Sequence, residues 1–328
     1  MGLVEDFPKD PFTPSLPYAA SAQLPVTMPW GGNIIRLGTP LTVGSCPQET
    51  RFLEDQSAFA PESLRKSSLV FQSSCQGTVT RSTTTSAAES HEHTSFSLQA
   101  QVGGSAIGVS GRGNYEARVA TNQHAQNASF RAEYQAGRIG FDEPPRLSAD
   151  ALALLHNRAD PNAFRAKYGD YYVGAYLLGG ANSQLLSCTA MGASSSKDMS
   201  AQVTGRFLGF KKTVSIEDHE RAEAAMGQYE LVAYDSLDAW DCTHKGGAGQ
   251  ADLELTARAN YDRCSTLVNR VAAKVEAMQL QHGARVPWDS CEAICRDHLV
   301  VQILLLPYAK VKEYASAVLS AAQLPQLS

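Results

Sequence analysis

Three stretches between positions 94 and 138 alternate apolar and polar side chains. Phe96, Leu98, Ala100 and Val102 alternate with Ser97, Gln99 and Gln101. Tyr115, Ala117 and Val119 alternate with Glu116 and Arg118, and Phe130, Ala132, Tyr134 and Ala136 with Arg131, Glu133 and Gln135. Successive side chains of a strand point to opposite faces, so this period of two predicts strands with one apolar face. Between the first two stretches, 103–113 is rich in glycine and serine, with Ile107 and Val109 its large apolar residues. A further stretch, Ala201, Val203, Gly205 and Phe207 set against Gln202, Thr204 and Arg206, has the same period. The pattern suits a half-buried strand of a globular domain. It suits equally a membrane-spanning hairpin, whose strands need about 9–11 alternating residues.

Other segments carry different periods. Positions 67–72, 171–191, 229–234 and 298–306 read as strands, as do the short pieces 33–37 and 41–43. The Ser/Thr tract 78–86 reads as turn-prone, and 241–250, with Gly246, Gly247 and Gly249, reads as a loop. Ser148 caps a predicted helix over 149–158, whose apolar face is Leu152, Leu154 and Leu155. A short helix over 161–167 starts on Pro161 and carries Phe164. Three- and four-residue spacing of Tyr261, Cys264, Leu267, Val268, Val271, Val275 and Met278 predicts one long helix over 251–282, stopped by Gly283. Shorter helices are expected over 215–226, 288–295 and 309–319.

The 161–167 helix delivers the chain into Tyr168-Gly169-Asp170-Tyr171-Tyr172, six further positions, and then Gly179-Gly180. Glycine weakens a strand interior and marks a bend, a bulge or a close backbone approach. The spacing resembles the signature of the membrane-attack-complex/perforin (MACPF) family: an aromatic, Gly, Thr or Ser, His, an aromatic, six free positions, Gly-Gly. Tyr168, Gly169, Tyr172, Gly179 and Gly180 fall in register, while Asp170-Tyr171 stands where the family has Thr/Ser-His. The ending is similar as well: a Trp-bearing helix, an apolar strand, a proline and a last helix. The resemblance spans roughly 65–320.

The resemblance implies an α+β fold: a bent, twisted antiparallel sheet of about four long strands (67–72, 130–141, 171–191 and 298–306). Two clusters of helical or hairpin segments, about 76–128 and about 198–280, would flank it. It implies a pore-forming protein that oligomerises on a membrane and inserts amphipathic hairpins into a transmembrane barrel, with Gly179-Gly180 as the hinge of sheet opening. Membrane lipid and further copies of the chain are the implied partners. The first hairpin would use Phe96, Leu98, Ala100, Val102, Ile107, Val109, Tyr115, Ala117 and Val119. The second would come from 198–235, with Ala201, Val203 and Phe207 as candidates, because the 251–282 helix carries too many charges. A non-lytic MACPF-like module that binds lipid or a partner is the alternative, and an unrelated enzyme the third reading.

Composition narrows these choices. The chain of 328 residues is 43% hydrophobic and 19% charged, with a formal net charge of −5 and no basic block, which argues against nucleic acid as a partner. No run of about 18 apolar residues marks a transmembrane helix, and the start lacks the apolar core of a secretory signal. A protein soluble as made, cytoplasmic or released by a non-classical route, is the expectation. Proline is dense before position 65, so 1–65 is expected to be an extended arm, 66–320 the main domain and 321–328 a tail. Target recognition would then fall to the arm, a C-terminal surface or a separate targeting protein.

Seven scattered cysteines do not describe a disulfide framework, and most read as small buried apolar residues. His91-Glu92-His93 and Cys291-x3-Cys295-x2-His298 contain metal-capable side chains but no second pair to complete a tetrahedral site. No nucleophile–base motif, P-loop or metalloprotease signature is present. Neither a catalytic residue, a metal nor a cofactor is expected.

Overall fold

The computed structural model describes residues 16–30, 34–44, 49–84, 115, 126–158, 161–190, 227–247 and 251–323. In chain order these form α1 (Leu16–Ser21), β1 (Val26–Pro29), β2 (Pro40–Thr42), β3 (Arg51–Phe52) and α2 (Pro61–Lys66). Next come β4 (Leu69–Thr84), β5 (Gln126–Phe141), α3 (Ala149–Arg158), α4 (Pro161–Tyr168) and β6 (Tyr171–Ala190). The chain continues with β7 (Gly227–Asp235), β8 (Trp240–Gly247), α5 (Ala251–Ser265), α6 (Leu267–Ala277) and β9 (Arg285–Val286). It ends with α7 (Ser290–Arg296), β10 (Val300–Pro307), a 3-10 turn (Tyr308–Lys310) and α8 (Lys312–Gln323).

The fold is α+β, organised on one antiparallel sheet that holds ten strands among the described residues. Its spine is β6, in which every side chain from Tyr171 to Ser187 is buried. β5 pairs with β6 from Gly140↔Ala175 to Gln126↔Cys188, and β4 pairs with β5 from Leu69↔Phe141 to Thr84↔Asn127. On its other edge β6 changes partner: β10 pairs with its first half as far as Val300↔Leu178, and β7 pairs from Asn182↔Asp235 to Ala190↔Gly227. The arm enters the same sheet, since β1 pairs with β10 and β2 with Tyr171 and Tyr172 of β6.

The two faces are covered differently. On one, Tyr171, Val173, Tyr176 and Leu178 join a core with Leu16, Trp30, Val271 and Ile294. On the other, Tyr172 sits with Phe59, Phe164, Tyr308 and Val311 under α3, α4 and α8. Higher on that second face, Leu185, Val232 and Tyr234 pack with Tyr115.

Several expected elements differ. The tract 78–86 is not a turn: β4 runs through it to Thr84, because threonine favours a pleated ladder when β5 supplies the partners. Positions 241–247 are not a loop but part of β8, which pairs with β7 from Asp235↔Trp240 to Gln228↔Gly247, so ladder bonds to β7 override the local glycine signal. The predicted 251–282 helix is two helices ending at Ala277. Thr266 returns its hydroxyl to the Asp262 carbonyl at 2.8 Å, a back-bond that bends helices. Positions 34–37 form no strand and lead into a turn at Gly38. Around the four long strands the sheet also takes in β7 and β8, expected in a flanking cluster, and the short β1, β2, β3 and β9.

Cys264, Cys291 and Cys295 are buried, whereas Cys75 is exposed. Burial, with Cys295 and Asp289 adding to it, pushes the Cys291 thiol up to about 12. A maleimide at pH 8 is therefore expected to modify Cys75 quickly and Cys291 only after denaturant is added. The sign of the pH dependence follows. The folded chain keeps a proton that the unfolded chain releases, so this contribution is intact below pH 9 and lost between pH 9 and about 12. In denaturant titrations this thiol alone should remove roughly 1.4 kcal/mol of stability per pH unit in that window, with buried tyrosines such as Tyr172 adding to the loss. A stability that is flat from pH 9 to pH 11 contradicts the assignment.

Candidate functional site

The turn before the spine is built from helix α4. Gly169 donates its N–H to the Arg165 carbonyl at 2.8 Å and adopts φ +76°, the left-handed conformation that ends helices. A Cβ there would lie 2.5 Å from the Leu41 carbonyl oxygen, so both backbone conformation and space demand glycine. Asp170 then ties three segments together. Its N–H donates to the Leu41 carbonyl at 2.9 Å, its Oδ2 accepts the Val43 N–H at 2.8 Å, and its Oδ1 accepts Arg165 Nε at 2.7 Å. A carboxylate thus fastens this turn to the arm at the position where the MACPF signature has Thr or Ser.

The tyrosines are structural anchors. Tyr168 packs on Phe164 with ring centroids 5.1 Å apart, and Tyr172 meets Phe59 edge-on at 4.8 Å and Tyr308 at 5.2 Å. Burial pushes the Tyr172 phenol up to about 12. Tyr171 donates its hydroxyl to the Leu24 carbonyl and Tyr176 to that of Ile35, drawing the arm onto the sheet. These hydroxyls hold backbone and do not converge on a common point.

Gly179 and Gly180 lie where β6 changes partner. The Gly179 N–H reaches past the end of β10 to the Leu299 carbonyl at 2.8 Å, while the Ala181 carbonyl accepts the Ser236 N–H at 2.9 Å. The neighbouring ladders are irregular at the same level. β4 shifts register between Ser73 and Gln76, β5 between Gln135 and Gly137, and β10 between Val300 and Gln302. A bulge bends its strand and increases local twist. Four aligned irregularities therefore make a crease across the sheet. The glycine pair is the part of this crease legible in the sequence; beside the bulges in β4 and β5 only single glycines stand, Gly77 and Gly137.

On the helix side of this crease lies an open groove of about 810 Å³, lined among others by Phe71, Tyr134, Ala136, Val275, Leu280 and His282. His282 Nδ1 is 2.9 Å from Ser73 Oγ at its rim.

Of the insertion candidates, Phe96, Leu98, Ala100, Val102, Ile107, Val109, Ala117 and Val119 lie outside the described residues, as do Ala201, Val203 and Phe207. Tyr115 is described, and it differs from the strand that the local alternation suggests, within a cluster expected to be helical or hairpin. Its backbone is helical, not extended, and its ring is buried 5.2 Å from that of Tyr234. The apolar face of the sheet at Leu185 and Val232 outweighs the local period of two. The segments that hold the candidates have defined anchors. Residues 85–125 join β4 to β5, and 191–226 join β6 to β7, both leaving the end of the sheet where Thr84↔Asn127, Gln126↔Cys188 and Ala190↔Gly227 are paired. No described helix is long and apolar enough to cross a membrane.

No protein-family model and no curated protein matches this chain. Solved structures do align with it at low identity. A cell invasion protein with a MAC/perforin domain from Bacteroides thetaiotaomicron aligns at 9% identity and TM-score 0.31, over 90% of this chain and 62% of that one. Wild-type pneumolysin aligns at 10% identity and TM-score 0.35, over 86% of this chain and 60% of that one. GNIP1Aa from Chromobacterium piscinae aligns at 12% identity and TM-score 0.27, over 91% of this chain and 55% of that one. The chain therefore spans less than two thirds of the length of each of these similar structures.

Proposed function

We propose that this protein is a MACPF-like pore former that oligomerises on a membrane and inserts hairpins drawn from 85–125 and 191–226. One observation carries the reading: both segments connect strands already paired antiparallel, and both leave the same end of the sheet. Extending β4 with β5, and β6 with β7, continues ladders that exist, so each hairpin would enter lipid with its backbone groups paired. The alternation of Phe96 to Val102 and of Ala201 to Phe207 supplies one apolar face for lipid. A closed ring of copies leaves no free strand edge. The crease at Gly179-Gly180 is the place for the sheet to straighten. Membrane lipid and further copies of the chain are the partners, and no catalytic step is needed.

Dye release from lipid vesicles tests this, together with electron microscopy of the vesicle surface. The expected result is leakage accompanied by rings or arcs of protein. A second arm places cysteines at Tyr115 and Tyr234 in a Cys75→Ser background and bridges them with a reducible bis-maleimide. The bridge should stop leakage, and reduction should restore it. Protein that stays monomeric and non-leaking over vesicles of varied charge, sterol and glycolipid content overturns the proposal in favour of a non-lytic binding module.

A further inference from the structure

Immediately above Gly180 a buried polar network joins the sheet to α5 and α6, set among the apolar contacts that Leu253, Ala257, Leu267 and Val271 make with the same core. Asp235, Asn182 and Asn260 are almost completely inaccessible to solvent. Asn182 Nδ2 donates to Asp235 Oδ2 at 2.7 Å and to Asn260 Oδ1 at 3.0 Å. Asn260 Nδ2 donates in turn to Gln184 Oε1 at 3.3 Å. Arg270 closes the network as a fork, with Nη1 2.6 Å from Asp235 Oδ2 and Nη2 3.2 Å from Oδ1, while Nη2 also meets Asp238 at 3.0 Å. Asp235 Oδ1 further accepts the Leu237 N–H at 2.9 Å. The side chains of Leu237 and Leu267 lie over Gly180 itself.

This is not the most stable way to hold a helix pair on a sheet. Apolar side chains of the same volume often equal or exceed a buried ion pair, whereas removing one partner of such a pair is strongly destabilising. The network also leaves Asn182 Oδ1 buried without a donor among the described residues, a further cost. Its bonds are short and directional, so a small outward movement of the helices weakens them together, with water entering beside the part-exposed Arg270. At this one level of an otherwise apolar contact, α5–α6 is held over the point of partner change by polar groups that must all stay paired.

We propose that Asn182, Asp235, Asn260 and Arg270 form a latch that holds α5–α6 on the sheet in the resting protein and lets the pair detach as a unit. Its role in pore opening rests on the function proposed above; the local detachment stands without it.

Hydrogen exchange on the full chain tests the latch, read at 182–187 and 229–235 against β4–β5 as internal reference. Arg270→Met leaves Asp235 without its cation and is expected to speed exchange there about tenfold or more while β4–β5 is unchanged. Should that variant not fold, Arg270→Lys, which keeps the charge and loses the fork, is read in the same way. Asn182→Leu with Asn260→Leu takes donors from the buried Asp235 and Gln184, and is expected to speed exchange at these positions and to speed dye release. Exchange in the arginine variants equal to that of the unaltered protein overturns the latch. So does a rise shared by β4–β5, which is general unfolding. If the leucine pair speeds exchange yet releases dye no faster than the unaltered protein, the latch has no part in opening. Absence of dye release from every protein overturns the pore reading alone, and the exchange result stands.

Discussion

Gly179→Val is expected to abolish cooperative folding of the sheet, or to cost more than about 4 kcal/mol if the protein still folds. A Cβ at this position would lie 2.0 Å from the Tyr134 carbonyl oxygen, 2.9 Å from its carbonyl carbon and 3.0 Å from the Gln135 Cα. All three are backbone atoms of β5, so no rotamer change relieves the contact. The strands would have to separate at the crease, giving up ladder bonds on both sides of it and the bond from the Gly179 N–H to Leu299. Gly180→Ala is the comparison. Its Cβ would meet Leu237 Cγ and Leu267 Cδ1, both at 2.9 Å, and flexible side chains move aside for about 1–2 kcal/mol. Urea titrations followed by circular dichroism measure both. A Gly179→Val protein that unfolds at the same urea concentration as the unaltered chain rules out the close approach.

Phe164→Ala is expected to lose about 3–5 kcal/mol, and Phe164→Leu about 1–2 kcal/mol. The ring is completely buried and meets Tyr314 edge-on at 5.0 Å, Tyr308 edge-on at 5.2 Å and Tyr168 at 5.1 Å. Each such aromatic pair adds about 0.5–1.5 kcal/mol beyond area burial. The effect extends to the turn, because α4 fixes where Tyr168 hands over to Gly169 and Asp170. A fall of several degrees in the calorimetric midpoint is expected, together with a weaker near-ultraviolet tyrosine signal. If the alanine variant melts within one degree of the unaltered protein, the cluster does not anchor the turn.

These two sites differ in how far the amino-acid order reveals them. Phe164 sits in a helix that can be placed from Pro161 and the residues around it, and its apolar character already assigns it inward. Gly179 is recognisable as unusual from its place in an apolar run. That it must be glycine depends on Tyr134, far away in sequence and close only because β5 and β6 pair in one register. Asp170 is similar: a turn-capping role is readable locally, whereas its bond to Val43 depends on the arm being drawn against β6. The latch residues gave no signal. Asn182, Asp235, Asn260 and Arg270 are ordinary polar residues in the sequence, and only burial makes them costly.

Elements whose periodicity or end signals are local can be placed from the amino-acid order. Strand β5 follows from its alternation, α3 from Ser148 and its leucines, α4 from Pro161, and β10 from its apolar run; together they dictate an α+β chain with a strong central strand after Tyr168. The tertiary structure alone decided how far β4 extends through its threonines, that β8 is a strand, that α5 and α6 are separate, and that Tyr115 is helical against Tyr234. It alone decided the crease. The physical reason is the same in each case. Capping and periodicity act over a few residues, whereas ladder pairing, bulge alignment and burial are set by partners brought together from distant parts of the chain. Gly179-Gly180 belongs to both: the sequence marks it as a weak point of a strand, and the fold makes it the place where that strand exchanges β10 for β7.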